Sequence, residues 1–137
     1  MYTSPSFRAA QAYKRVGAES GVAGASAHQL IVLLFDAFAQ SVNQARGALE
    51  RGDVAVKGAS IQRAVRILEE GLKAGLDPVR GGDLAERLRS LYDYCIERLT
   101  VANVRNDAPA LNEVAALIAP VAQGWKDIGS AHAAQPH

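Results

Sequence analysis

The sequence is poor in most features that mark a secreted protein, a membrane protein or an enzyme. It has one cysteine, Cys95, in 137 residues. A single thiol cannot close an internal disulfide, and this one sits among apolar residues, so a buried structural thiol in a reducing compartment is expected. Aromatic residues are 6% of the chain although apolar residues are 49%. The core must therefore be aliphatic and alanine-rich, which suits closely packed helices. A charge excess is missing too. Fifteen Lys and Arg against fourteen Asp and Glu leave +1, with no basic block to neutralise phosphates, so nucleic acid is not an expected partner. The longest apolar run, "LIVLLF", is far too short to span a bilayer, and "MYTSPSFRAAQAYKRVG" lacks the apolar stretch of a signal peptide. No membrane insertion is expected, and the cytoplasm is the expected location.

Catalytic signals are also scarce. The histidines are His28, His132 and His137, and none has the Glu-x-x-His spacing of a di-iron bundle. Glu69 and Glu70 are adjacent carboxylates near a helix end, a solvated pair. "RGGD" has neither the lysine nor the preceding strand of a phosphate-binding loop. The expectation is no cofactor, no metal and no enzyme activity.

What is present is helical periodicity. Strand-like alternation and Asn-Gly or Asp-Gly hairpin turns are missing, and apolar residues recur at threes and fours after Ser26. The pattern predicts an all-α fold, an antiparallel up-down four-helix bundle over 26–128. The first helix opens at "SAHQ", where Ser26 and Gln29 have capping-box spacing. Leu30, Leu34, Ala37, Ser41, Ala45 and Ala48 form one stripe along it; Ile31, Phe35, Phe38, Val42 and Leu49 form a second. "RGD" at 51–53 ends this helix at Gly52 and caps the next with Asp53. The second helix carries Val54, Ile61, Val65, Leu68 and Leu72 until "AGLDPVRGG" breaks it, with Leu76 packing back at the turn. The third is predicted to start near Asp83, with Glu86 in capping-box spacing. It carries Leu84, Leu88, Leu91, Cys95, Leu99 and Ala102. The fourth starts near 107–109 and carries Leu111, Val114, Leu117, Ile118, Val121, Trp125 and Ile128, with Pro120 predicted to kink or split it. Residues 1–25 read as a flexible segment holding one short amphipathic helix with Phe7, Ala10, Tyr13 and Val16 at threes. Residues 129–137 read as a disordered tail.

The apolar surface exceeds what four helices need to pack. The first helix has two stripes, and the third adds Tyr92, Tyr94 and Ile96 to a stripe complete without them. Tyr92 and Tyr94 cannot share a helix face, being about 200° apart. Either the surplus lines a groove for an amphipathic partner helix, or it thickens the core or forms a homodimer face.

Several stretches together resemble the flagellin-specific export chaperones of the bacterial flagellar type III secretion system. They are "AYKRVGAES", "ASAHQLIVLLFDAF", "IQRAVRILEEGL", "GLDPVRGGDLAERL" and "LYDYCIERLTVAN". The resemblance covers nearly the whole chain, although Ala27 stands where that family usually has proline. It implies a four-helix core with an added short helix that binds the C-terminal region of newly made flagellin. Binding would prevent premature polymerisation and deliver the client to the cytoplasmic domain of the export gate. On this reading Ile61, Val65 and Leu68, with Tyr92, Tyr94 and Ile96, are the candidate groove residues, the division of roles between the two tyrosines staying open. Phe7, Tyr13 and Val16 are candidates for a self-capping segment that fills the groove until the client displaces it. The competing reading is a small homodimeric regulatory bundle with no flagellin client.

Overall fold

The structure, a computed structural model, describes residues 26–134. They form α1 (Ala27–Arg51), α2 (Val54–Arg66), a π-helical continuation of α2 (Ile67–Lys73), α3 (Pro78–Arg105) and α4 (Ala108–Ala134). No strand occurs among the described residues.

Local sequence sets most boundaries. Ser26 Oγ accepts from the Gln29 N–H at 3.1 Å and Gln29 Oε1 accepts from the Ser26 N–H at 3.0 Å, the reciprocal capping box read from "SAHQ". Gly52 takes the left-handed conformation at φ 73° and donates back to Ala48 and Leu49. Asp53 then accepts from the Val56 N–H. At the next turn Asp77 accepts from Val79 and Arg80, with Pro78 at the first helical position, where its missing N–H costs nothing. α3 thus begins ahead of the predicted Asp83. It is kinked at Gly82, whose φ of 51° and ψ of −128° are not helical, and regular helix resumes after that residue.

Each helix packs on two neighbours, α1 on α2 and α4, and α3 on α2 and α4, while the π-helical segment meets α1 and α3. His28 meets Trp125 while Arg46 reaches Asn112, so α1 and α4 run antiparallel. Lys57 reaches Asn103 and Lys73 pairs with Asp93 at 2.6 Å, so α2 and α3 do as well. The core is mainly aliphatic, with Val42, Ile61, Leu68, Leu99, Leu111 and Val114 buried around the aromatic Phe35, Phe38 and Tyr92. Ala45, Ala48, Ala64, Ala102 and Ala110 are fully enclosed between helices, which lets the backbones approach closely. Both stripes of α1 point inward, Ser41 among them with its hydroxyl donating to the Ala37 carbonyl at 2.9 Å.

Three stripe residues are not core. Val54, Leu84 and Ile128 are exposed. Val54 is the first residue of α2 and projects past its partner helix. In the first turn after the Gly82 kink Ala85 is buried and Leu84 exposed, and Ile128 lies past the last buried turn of α4. Pro120 does not split α4, which runs unbroken to Ala134, into the stretch read as a tail. Ala116 and Pro120 are both exposed, so the carbonyl that proline leaves without its helical donor faces water, and Ala131, Ala133 and Ala134 are strong helix formers.

Candidate partner-binding surface

Of the concavities on the bundle, two are lined by candidate groove residues. The first, of about 310 Å³, opens between the start of α1, the turn before α3 and the last part of α4. Ile31 and Phe35 of α1, Leu72 and Leu76, Leu84, Leu88 and Tyr92 of α3, and Val121 and Trp125 of α4 line it. Its walls are mostly apolar because the inward stripes of α1, α3 and α4 and Leu72 of the π-helical segment converge there, with Asp77 the one charged side chain among them. The second, about 350 Å³, lies between α2 and α3 and is lined by Ile61, Val65, Val104 and the polar Gln62, Arg66, Thr100 and Asn103.

The predicted groove residues divide among these places. Ile61 and Val65 meet at the α2–α3 concavity. Ile96 is half-buried one turn before Thr100 on the same face of α3. Leu68 is enclosed in the core. Tyr92 is 2% exposed and Tyr94 is 42% exposed, so the two tyrosines do part company around the helix. Tyr92 closes the core beside Phe35 and Cys95 and forms the floor of the first concavity. Tyr94 turns toward α4 and donates its hydroxyl to Glu113 Oε2 at 2.8 Å. Arg98 holds the other oxygen of the same carboxylate at 2.7 Å, and the hydrogen bonds from Tyr94 and Arg98 keep the Glu113 carboxyl below its usual range. Burial pushes the Tyr92 phenol up to about 12 and the Cys95 thiol up to about 11, so neither group ionises near neutrality. Phe7, Tyr13 and Val16 lie outside the described residues.

Periodicity gave no sign of two further features. His28 stacks on Trp125 with ring centroids 5.0 Å apart and planes at 10°, across 97 positions of sequence. Lys57 is buried, its ammonium donating to the Asn103 carbonyl at 2.9 Å and to Asn106 Oδ1. It satisfies the C-terminus of α3, where a cation also meets the negative end of the helix dipole. Among the described residues every buried side-chain polar atom has a partner. No cluster of three His, Cys, Asp or Glu is placed there to hold a metal, and no helix is long and apolar enough to cross a membrane. The free surface of these residues includes the apolar concavity at Ile31, Leu88 and Trp125.

Comparison with known proteins points the same way. Residues 9–132 match the family described as Flagellar protein FliS. The chain is 48% identical over 128 residues to the Flagellar secretion chaperone FliS of Salmonella typhimurium, covering 93% of both chains. It is 43% identical to the Flagellar secretion chaperone FliSB of Pseudomonas aeruginosa, over 88% of this chain and 95% of that one. With the FliS of Escherichia coli the identity is 38%, over 85% and 86%. A family match over almost the whole bundle, joined to near half identity along the same length, means that the chain belongs to the FliS family of flagellar proteins.

Proposed function

We propose that this protein is a flagellar secretion chaperone that binds the C-terminal helical region of flagellin, prevents its premature polymerisation and delivers it to the cytoplasmic domain of the export gate. The observation that carries the reading is the open apolar concavity walled by Ile31, Leu76, Leu88 and Trp125, on a bundle whose relatives are named flagellar secretion chaperones. An amphipathic helix needs such a trough for its i, i+3, i+4 and i+7 side chains. The α2–α3 concavity with Ile61 and Val65, and the neighbouring Ile96, offer a second contact for an extended client that wraps the bundle. The protein acts in the cytoplasm by binding, without turnover.

Residues 1–25 act as a self-cap in this account. α1 starts at Ala27, and Ile31 in its second turn lines the first concavity. Phe7, Tyr13 and Val16 then cover the apolar surface until the client displaces them, which limits aggregation. Deleting residues 1–24 raises affinity for the client if the cap competes; unchanged affinity contradicts the cap.

Size-exclusion chromatography of the protein with and without a flagellin C-terminal peptide tests the main reading. A peptide-dependent shift to a heterocomplex is expected. A dimer indifferent to peptide would instead favour the homodimeric regulator.

A further inference from the structure

The two halves of α4 are held in different ways. Before Pro120 the helix is anchored by Ala110, Leu111, Val114 and Ile118, all buried. From Val121 to Gly129 no residue is fully buried. Pro120 stands between the halves without an N–H, so the backbone bond that would tie it to Ala116 is missing. The later half is nevertheless one wall of the apolar concavity, through Val121 and Trp125.

Val121, Ala122 and Trp125 pack partly buried against the core, and what fastens the wall further is a small polar and aromatic contact with the first turn of α1. The His28 ring stacks on Trp125. His28 Nε2 lies 2.7 Å from the Trp125 carbonyl oxygen, and because a carbonyl only accepts, that nitrogen carries the proton. In return the Trp125 indole N–H donates to the His28 carbonyl at 3.3 Å. Lys126 and Asp36 add an ion pair at 3.0 Å, but both are well exposed and the pair contributes little. Gly129 is part of the fit. A Cβ there would stand 1.9 Å from His28 Cε1, so the ring occupies space that only glycine leaves.

We propose that the part of α4 beyond Pro120 is a hinged flap, latched onto α1 by the reciprocal His28–Trp125 contact over Gly129, and that release of the latch widens the concavity into a trough for an incoming apolar helix. A segment with few buried contacts and a broken backbone ladder is the part of a bundle that opens at least cost. The latch also sits in the first turn after residues 1–25, so a ligand or segment pulling at that end of α1 acts directly on it. That the incoming helix is flagellin's rests on the function proposed above; the flap itself does not.

Trp125 is the chain's only tryptophan, which makes the latch directly readable in the full-length protein. His28→Ala removes the ring, and Gly129→Ala displaces it while favouring helix. Three readouts are compared with the parent protein: acrylamide quenching of Trp125, amide exchange across α4, and binding of a flagellin C-terminal peptide. The expected result is severalfold stronger quenching and faster exchange in residues 121–129 for both variants, with protection of 110–118 unchanged and peptide affinity raised. Quenching and exchange equal to the parent in both variants would overturn the flap. So would loss of protection along the whole helix, because the two halves would then open as one. An open flap without gain in affinity would overturn its role in admitting the helix. Failure of the peptide to bind the parent and both variants would count against the chaperone reading and leave the flap to be judged on quenching and exchange.

Discussion

Cys95 and Tyr92 stand one turn apart on the inner face of α3, and their burial makes an alkaline prediction. The thiol rises from the ordinary 9.0 to about 11 and the phenol from 10.0 to about 12. The folded protein therefore holds these protons more tightly than the unfolded chain. Their contribution to stability is full below about pH 9 and is lost as pH rises toward 11 and 12. Denaturant midpoints should fall across that window, and Cys95→Ala should remove the earlier part of the fall. An unchanged midpoint between pH 8 and 11 would contradict the burial argument. Lys57 makes a second. Lys57→Met keeps the stem but leaves Asn103 and Asn106 without their donor, at about 1–3 kcal/mol by denaturant titration. The tyrosine pair shows how far periodicity reaches at this scale. It establishes that Tyr92 and Tyr94 face apart and leaves open which of them points inward, although Tyr92 lies beside the apolar stripe and Tyr94 off it. It cannot show that Tyr94 is tied to Glu113, because that bond depends on the register between two helices. Lys57 and His28 are opaque for the same reason. Each reads as an ordinary polar residue until a distant element supplies its partner.

Helix boundaries are the most legible part of this fold, since caps and turns are local. Ser26 with Gln29 and Gly52 with Asp53 act within a few residues of one another, and the sequence carries the whole device, whereas Asp77 with Pro78 reads only as a break ahead of a helix expected near Asp83. What is not local is the rotation of a helix after a break. The stripe through Leu84 assigns that residue to the core, yet it is exposed and Ala85, one position on, is buried, because which of two adjacent positions faces inward depends on how the helix is rotated against its neighbours. The π-helical stretch Ile67–Lys73 is likewise tertiary in origin. Gly71 is buried there under Leu34, and a Cβ at that position would stand 2.7 Å from Leu34 Cδ1. The kink gives an element-scale prediction. Gly82 has φ 51°, and a Cβ added to it would have no neighbour within 4 Å, so Gly82→Ala meets no steric obstacle and tests backbone strain alone. It should destabilise the protein by about 1–3 kcal/mol in chemical denaturation. A neutral result would mean that the turn readily adopts another conformation.

For the molecule as a whole, composition and balance carry the functional argument. On the function proposed above, near-neutral charge leaves apolar burial as the chief source of affinity, and the client orders as it binds. The bundle itself follows from periodicity and short turns. The concavities do not, because each is lined by residues of several elements whose relative placement no single stripe encodes. Isothermal titration of this protein with a C-terminal peptide of its own organism's flagellin, at several temperatures and two salt concentrations and with helicity followed in parallel, tests the chaperone account most directly. The account predicts saturable binding near one to one, a negative heat-capacity change, a gain of helix and weak dependence on salt. No binding by a soluble, well-behaved peptide would contradict the client assignment, and a steep loss of affinity between low and moderate salt would contradict apolar burial as its source.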